Sequence, residues 1–145
     1  MKFSVEPLRD ADREAWEPLA RGYKEFYETP TSDEEFDLAW RRIVSGDGVQ
    51  GVAAKEAGKM LGIAHYLFHA SAWAPKVCYL QDLFTAPAAR GRGVARQLIE
   101  TVAEDARRRG ATRYYWLTKH DNRTARALYD RVARYKGFIR YDFPL

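Results

Sequence analysis

Residues 90–95 read Arg90-Gly91-Arg92-Gly93-Val94-Ala95 and fall between a predicted strand, 77–85, and a helix that we predict to begin at Val94. The first N–H groups of a helix have no partner inside the helix, so such a position attracts anions. The two glycines let the backbone approach a phosphate closely, and the arginines can add charged hydrogen bonds. The loop therefore predicts a pyrophosphate site, with a simple turn as the alternative for a motif this short.

Two other phosphate-binding loops do not fit these residues. A Walker-type loop requires a lysine and a hydroxyl residue directly after its last glycine, where this chain has Val94 and Ala95. The dinucleotide fingerprint follows the first strand of a parallel unit, whereas this loop follows an apparently antiparallel run past the middle of the chain. Both readings are excluded.

The pattern Arg90-x-x-Gly93-x-Ala95 resembles the Arg/Gln-x-x-Gly-x-Gly/Ala loop of the GNAT superfamily of acetyl-CoA-dependent N-acetyltransferases. The strand that precedes the loop is similar too, and a later helix begins at an asparagine, Asn122, and carries a tyrosine, Tyr129, seven residues on, as in that family. The resemblance is strongest to the Hpa-type histone/polyamine acetyltransferases. It spans the order of elements in the whole chain, although its specific motifs lie between residues 79 and 138.

This resemblance implies a fold and an activity. The fold is α/β (α+β), with a mixed, mostly antiparallel central sheet, splayed parallel strands and helices on both faces. The activity is direct transfer of an acetyl group from acetyl-CoA to a primary amine, which is a polyamine, an amino acid or a lysine side chain. The alternative is a non-catalytic coenzyme A-binding module with a regulatory role.

The resemblance also implies a cofactor site. The backbone of the strand end pairs with the pantetheine arm like an added strand, and the loop and helix start hold the pyrophosphate. The cofactor-binding residues implied are Leu83, Phe84, Thr85, Arg90, Gly91, Arg92, Gly93, Val94, Ala95, Arg96 and Asn122. Asn122 is equally well explained as an ordinary helix N-cap, and the two roles are compatible.

For catalysis the resemblance points to Tyr129 as the general acid that protonates the departing thiolate, whereas periodicity alone makes it a core aromatic. Related polyamine enzymes often have a glutamate where this chain has Gln81, and an amide cannot take a proton. Asp82 can attract a cationic amine or accept a proton through water, and a solvated strand carboxylate is the alternative. The predicted substrate-binding residues are Tyr27, Gln81 and Asp82.

The rest of the acceptor site is less defined. By the same resemblance the helical N-terminal third walls it, with aromatic side chains at Tyr23, Phe26 and Trp40 besides Tyr27, although most of these are expected in the core. The acidic residues between 25 and 37 are an alternative attractor for a cation, but such runs are more often solvated helix faces.

The histidines and the single cysteine are weaker candidates. His65 and His69 lie on one predicted strand about 13 Å apart, which makes a metal pair improbable, so we predict no metal site. His120 precedes Asn122 and is the better placed of the three, although a solvated loop residue is the simpler reading. Cys78 is expected to be a small core residue.

The hydrophobic periodicity and the turn signals predict the order of elements. A capping box of Ser32 and Glu35 starts the second helix, and Pro18 is expected to break the first into two pieces. The strands before and after the Val94 helix are expected to be parallel. The predicted strands are 3–8, 51–56, 60–70, 77–85, 113–118 and 137–143, and the predicted helices run from 10 or 12 to 27, from 32 to about 44, from 94 to 110 and onward from 122.

Composition limits the number of domains, the kinds of partner and the compartment that we expect. A chain of 145 residues fits a single domain, 1–145, and a net charge of +4 is too small for a nucleic-acid footprint. One cysteine excludes an intrachain disulfide, and no stretch resembles a signal peptide or a membrane span, so we expect a cytoplasmic protein that binds no membrane. The aromatic C-terminal segment resembles those that such enzymes use between subunits, which predicts a homodimer.

Overall fold

The computed structural model describes residues 2–145, which form one five-stranded sheet with helices on both faces. The strands are β1 (Ser4–Pro7), β2 (Val49–Glu56), β3 (Lys59–His69), β4 (Val77–Thr85) and β5 (Arg113–Tyr115). The helices are α1 (Arg13–Phe26), α2 (Asp33–Ser45), α3 (Val94–Arg108) and α4 (Arg123–Val132). Short 3₁₀ turns at Asp10–Asp12 and Pro87–Ala89 precede α1 and α3.

The strands lie in chain order, β1 to β5, and the first four are antiparallel to their neighbours. The parallel pairing of β4 with β5, predicted from the α3 crossover, is confirmed. This pairing covers only Val77–Tyr79 against Arg113–Tyr115, whereas β4 continues to Thr85. The two strands therefore separate, and the second half of β4 has a backbone edge without a β5 partner.

A β-bulge lies in β4 at the same level. His65 of β3 pairs with Asp82, but the next residue, Tyr66, pairs with Leu80, so Gln81 is the extra residue. A bulge re-aims the side chains that follow it. Asp82 consequently points towards the α1 face of the sheet, where it contacts His65.

Each face of the sheet carries its own core. On one face α1 and α2 bury Trp16, Phe36 and Trp40 against β2 and β3. On the other face α3 contributes Val94, Leu98 and Val102, and α4 adds partly buried Leu128 and Tyr129. The predicted α/β class with helices on both faces is confirmed.

The start of α3 is held close to the sheet by Gly62 of β3. A Cβ at this glycine would lie 2.8 Å from Val94 Cγ1 and 3.1 Å from the Phe84 carbonyl oxygen. Only a residue without a side chain fits there. This close approach fixes the first turn of α3 beside the free edge of β4.

The N-terminal helix differs from its prediction. We expected Pro18 to break it, but α1 is one helix that contains this proline. Its apolar face buries Trp16, Leu19 and Ala20, and this packing outweighs the lost hydrogen bond. The capping box at Ser32 and Glu35, in contrast, forms as predicted.

The C-terminal strand predictions are wrong in two places. The strand expected over 113–118 ends at Tyr115, and the strand expected over 137–143 does not form. A strand forms only where a neighbour completes its hydrogen bonds, and residues 137–143 pair with no strand although the outer side of β5 is open. Residues 133–145 instead follow α4 as an exposed segment without regular structure.

Candidate active site

A cleft opens where β4 and β5 separate. Its walls come from β4, from the residues that follow β5, from α1 and from α4, and they are lined by Tyr23, Tyr27, Leu80, Gln81, Leu83, Trp116, Leu117 and Tyr129. Four of the residues predicted from the sequence thus lie around one space: Tyr27, Gln81, Leu83 and Tyr129. Tyr23 had been considered only as an aromatic wall.

Tyr129 reaches the cleft from the second half of α4. Its ring packs edge-on against Trp116, with the centroids 5.4 Å apart. Burial, and next the neighbouring Tyr27, raises the pKa of Tyr129 to about 12. The hydroxyl therefore keeps its proton throughout the neutral range and is available as a hydrogen-bond or proton donor.

Gln81 occupies the bulge and exposes its side chain. Its backbone carbonyl accepts a hydrogen bond from the Tyr23 hydroxyl at 3.3 Å. This contact joins α1 to β4 across the cleft wall. The side-chain amide has no part in it.

Asp82 is not the solvated strand carboxylate that the sequence allowed as an alternative. Only 21% of its side chain is exposed, and its Oδ2 lies 2.9 Å from His65 Nδ1. Burial alone would raise the pKa of Asp82, but the hydrogen bonds from His65 and Tyr23 and the nearby Lys24 hold it below its usual value. Asp82 is therefore a half-buried, ionised group at neutral pH.

His120 is an exposed residue of the loop before α4, the simpler of its two predicted roles, and its carbonyl accepts a hydrogen bond from Arg126. His65, in contrast, is buried beside Asp82, and its Nε2 accepts a hydrogen bond of 2.9 Å from Trp16 Nε1. The pairing of β3 with β4 decides this, and spacing along the chain does not reveal it.

The loop before α3 is arranged around two left-handed glycines. Gly91 and Gly93 both have φ of 81°, and a Cβ at Gly91 would meet nothing within 4 Å, so the loop is open. The first hydrogen bond of α3 runs from Gln97 N to the Gly93 carbonyl, which leaves the N–H groups of Val94, Ala95 and Arg96 free of intrahelical partners. No acidic residue lies in this first turn. A concave row of donors results.

The three arginines of the loop differ in their freedom. Arg92 pairs with Glu56 at 2.7 Å and Arg96 pairs with Glu100 at 3.0 Å. Arg90 donates to the Thr85 carbonyl at 3.2 Å and lies over the Phe84 ring. Arg92 and Arg96 would have to share or leave their carboxylates to contact a phosphate, so backbone N–H groups are the main donors of this loop.

Asn122 stands at the N-cap position of α4, but its side chain does not cap the helix. Its Nδ2 donates instead to Thr118 Oγ1 at 3.0 Å. It lines a second, shallow depression together with Phe26, Lys119, Asp121, Arg123 and Thr124. Lys119 also lies over the Tyr27 ring, so this basic surface adjoins the cleft.

The remaining candidates lie elsewhere. Trp40 is in the core and Phe26 is exposed beside the cleft. Burial raises the pKa of Cys78 to about 11, which suits an unreactive core thiol. The acidic residues of 25–37 are mostly exposed, and Asp33 pairs with Arg21, so they form a solvated helix face.

This combination of a splayed sheet, an open glycine loop at a helix start and a tyrosine-lined cleft is that of an acyltransferase. The chain belongs to the acetyltransferase (GNAT) family, whose sequence model matches residues 13–133. It is an N-acetyltransferase, and members of this family use acetyl-CoA. Within residues 2–145 no helix is both long and apolar enough to cross a bilayer.

Curated relatives support this placement. The D-amino-acid N-acetyltransferase HPA3 of Saccharomyces cerevisiae is 35% identical over 136 residues, which are 91% of this chain and 84% of the relative. The thialysine N-epsilon-acetyltransferase of Caenorhabditis elegans is 32% identical over 92 residues, 63% of this chain and 58% of its own. The resemblance to the Hpa-type branch is thereby confirmed.

Solved structures share the fold. AAC(6')-Iy, determined in complex with the bisubstrate analogue CoA-S-monomethyl-acetylneamine, superposes with a TM-score of 0.86 over 100% of this chain and 99% of its own, at 18% identity. The ribosomal-protein-alanine N-acetyltransferase of Brucella melitensis gives 0.84 over 99% of both chains at 17% identity. At these identities the likeness concerns the fold alone.

Proposed function

We propose that this protein transfers the acetyl group of acetyl-CoA directly to a primary amine on a polyamine, an amino acid or a lysine side chain, with Tyr129 as the general acid. The observation that carries the proposal is the position of Tyr129, whose protonated side chain lines the cleft where β4 and β5 separate. The loop before α3 lies at the end of the same free edge of β4.

The residues present suit coenzyme A. The unpaired backbone edge of β4 at Leu83, Phe84 and Thr85 can hydrogen-bond the amides of the pantetheine arm, as an added strand would. The open loop at Gly91 and the free N–H groups of the first turn of α3 suit a pyrophosphate. Acetyl-CoA, when bound, supplies an activated acetyl thioester.

Tyr129 then has a defined task. Coenzyme A leaves as a thiolate when the amine attacks the thioester, and a proton donor near the sulfur lowers the cost of that charge. Tyr129 retains its proton at neutral pH because its pKa is about 12, and Trp116 holds its ring against the cleft wall. It is thus suited to donate to the departing sulfur.

The amine must lose a proton before it can attack, because an alkylammonium with a pKa near 10.4 has no free lone pair. Gln81 cannot take this proton. Asp82 is ionised and lies one residue behind the cleft wall, so it supplies negative potential that draws a cationic amine inward. The proton itself leaves through water.

The acceptor is proposed to be a small amine. The relatives named for D-amino acids and for thialysine support this class, since both names describe acceptors with an amino group on a small amino acid. The basic surface at Lys119 and Arg123 beside the cleft suits either the carboxylate of such an acceptor or a phosphate of the cosubstrate.

We also propose that the protein is a homodimer. The exposed segment 133–145 carries six large apolar side chains in the open, and a monomer rarely leaves such a cluster uncovered. These are Tyr135, Phe138, Ile139, Tyr141, Phe143 and Leu145. A second copy can cover these side chains and remove them from water.

The test is thiol release from acetyl-CoA with a panel of polyamines, D- and L-amino acids, thialysine and lysine peptides. We expect release with one class of amine and a fall in kcat of about 100-fold or more for Tyr129→Phe, the range of general acid catalysis. Tyr114→Phe is the matched control, because Tyr114 bonds the Ile99 carbonyl outside the cleft. Acetyl-CoA binding without release across the panel would contradict the proposal.

A further inference from the structure

A buried chain of hydrogen bonds runs from α1 through β3 to the cleft. Trp16 Nε1 lies 2.9 Å from His65 Nε2, and His65 Nδ1 lies 2.9 Å from Asp82 Oδ2. Trp16 and His65 are only 1% and 5% exposed. The Tyr23 hydroxyl donates to the Gln81 carbonyl at 3.3 Å and lies close to the Asp82 carboxylate.

The direction of every bond in this chain follows from its first member. An indole N–H can only donate, so His65 Nε2 must accept and carries no proton. The neutral ring then has its proton on Nδ1 and donates it to Asp82. With Nε2 occupied, His65 cannot serve as a base, and the carboxylate is an acceptor with a fixed partner.

Hydrogen-bond directions also determine whether the Tyr23 hydroxyl can donate to or accept from a ligand in the cleft. The two protein groups beside its hydroxyl, a carboxylate and a carbonyl, are both acceptors, so its proton is donated inward to one of them. Burial, and then the charge of Asp82, raises the pKa of Tyr23, so this proton is retained. The Tyr23 hydroxyl therefore offers a ligand in the cleft only the lone pairs of its oxygen, as a hydrogen-bond acceptor.

We propose that Tyr23 contacts the acceptor amine, its oxygen accepting an amine N–H, and that His65 and Trp16 are positioning residues that set this polarity through Asp82. This inference rests on the proposed function and adds the residue that orients the acceptor. An N–H held by Tyr23 leaves the nitrogen lone pair free to turn towards the thioester. A ligand group that has only acceptor atoms, such as a deprotonated alcohol oxygen, has no hydrogen to donate to Tyr23 and is not held in this way.

Charged and titratable groups near the Trp16–His65–Asp82 hydrogen bonds come from more than one element. From α1, Tyr23 and Lys24 face Asp82, and from β4 Tyr79 lies nearby. From β2 the glycine at position 51 faces the imidazole, with His65 Cδ2 3.6 Å from where a Cβ would stand. Within residues 2–145 the groups that hold the pKa of Asp82 down are thus His65, Tyr23 and Lys24, with His65 contributing most.

The experiment uses the full chain and the faster of two probe amines, thialysine and D-phenylalanine. For Tyr23→Phe we expect the amine KM to rise about three- to tenfold, the effect of one lost hydrogen bond, with the KM for acetyl-CoA unchanged. His65→Leu removes the hydrogen-bond donor to Asp82 but keeps the Asp82 carboxylate shielded from water, so the pKa of Asp82 rises. The amine kcat/KM falls at lower pH in both proteins because the neutral amine is depleted, and we expect a steeper fall for His65→Leu than for the wild type as the pH is lowered towards 5.

Two further variants separate positioning from packing. His65→Asn keeps an N–H near the Nδ1 position and should retain the wild-type pH profile, whereas His65→Gln should not, because its longer side chain better matches Nε2. Ile63→Ala is the control for a cavity, since Ile63 is buried on the same strand two residues away. It should lower the melting temperature without changing the amine KM or the pH profile.

A measurement independent of turnover tests the chain itself. Long-range ¹H–¹⁵N NMR of His65 should give a protonated Nδ1 and an unprotonated Nε2 at pH 7, and Trp16→Phe should disturb this tautomer. An Nε2-protonated ring would overturn the inference even in an active enzyme. If no amine is acetylated by the wild type but the tautomer is as expected, the proposed function fails instead. A Tyr23→Phe variant with an unchanged amine KM would also overturn the inference.

Discussion

Asp82, which is half-buried, and Asp105, which is buried, show how neighbours decide the role of a residue. Asp82 lies behind the cleft wall with His65 and Tyr23, and Asp105 lies in α3 with no link to the cleft. Asp105 accepts from Tyr66 at 2.7 Å and from Arg108 at 2.8 Å, and it pairs with Arg109 at 3.0 Å. It therefore fastens the C-terminal end of α3 to β3, and its role is structural.

Asp105→Asn should destabilise the fold by about 1.5–3 kcal/mol at pH 7, the range for hydrogen bonds to a charged group. Burial alone would raise the pKa of Asp105, but the hydrogen bonds from Arg108, Tyr66 and Arg109 hold it below its usual value. A lowered pKa stabilises the fold above the unfolded value near 4, and this contribution is lost as the pH falls through the folded value. Urea unfolding at pH 7 and pH 3 measures the difference, which should shrink at pH 3.

Glu104→Gln is the control for this prediction, because Glu104 is the exposed neighbour on the same helix. Its free energy of unfolding should stay within about 0.5 kcal/mol of the wild type. Equal losses for Asp105→Asn at both pH values would contradict the assigned pKa direction.

At the scale of elements, α3 connects the sheet to the proposed cofactor site. Its buried face, Val94 to Val102, packs on the sheet, and Gly62 lets its first turn approach β3. Left-handed glycines stand at both ends of the helix, Gly91 before it and Gly110 after it, with φ of 81° and 82°. The two positions have equal backbone strain but different surroundings, because only the first lies in the loop.

Gly91→Ala and Gly110→Ala form a matched pair. Each should lower the free energy of unfolding by about 1 kcal/mol, because a Cβ is disfavoured at these φ values and nothing lies within 4 Å to clash with it. Gly91→Ala should also weaken acetyl-CoA binding about tenfold or more, because its methyl group enters the space that a pyrophosphate needs. Isothermal titration calorimetry measures the affinity, and equal affinities for the two variants would exclude the loop as the site.

At the scale of the whole molecule, the exposed apolar residues are distributed unevenly. Most of them belong to the segment 133–145, which has no strand partner, while Trp73, 97% exposed, stands alone in the loop between β3 and β4. Single exposed apolar side chains are common on monomers, but a cluster indicates an interface.

The triple variant Phe138→Ser, Tyr141→Ser, Phe143→Ser should convert a dimer of the wild type into a monomer. Trp73→Ser is the matched control and should leave the mass unchanged. Light scattering coupled to gel filtration measures both, at several protein concentrations. A monomeric wild type at all of them would contradict the proposed dimer.

Much of the fold was predictable because its signals are local. The capping box at Ser32, the extent of β4, the α3 periodicity and the parallel crossover all follow from residues close together in the chain. The glycine loop with Asn122 and Tyr129 was sufficient for the family. The errors lie where non-local packing or its absence decides, at Pro18 inside α1, at residues 116–118 after β5 and in the last thirteen residues.

The residues of the candidate site also fall into two groups, those that the sequence identifies and those that only the fold brings together. Gln81, Asp82, Tyr27 and Tyr129 could be named from the motif, because types and spacings along the chain carry that information. The buried partners Trp16 and His65 could not, since they lie 49 residues apart and meet only through the packing of α1 on the sheet and the register of β3 with β4. A motif records which groups are present, whereas direction, burial and protonation state depend on neighbours brought together by folding.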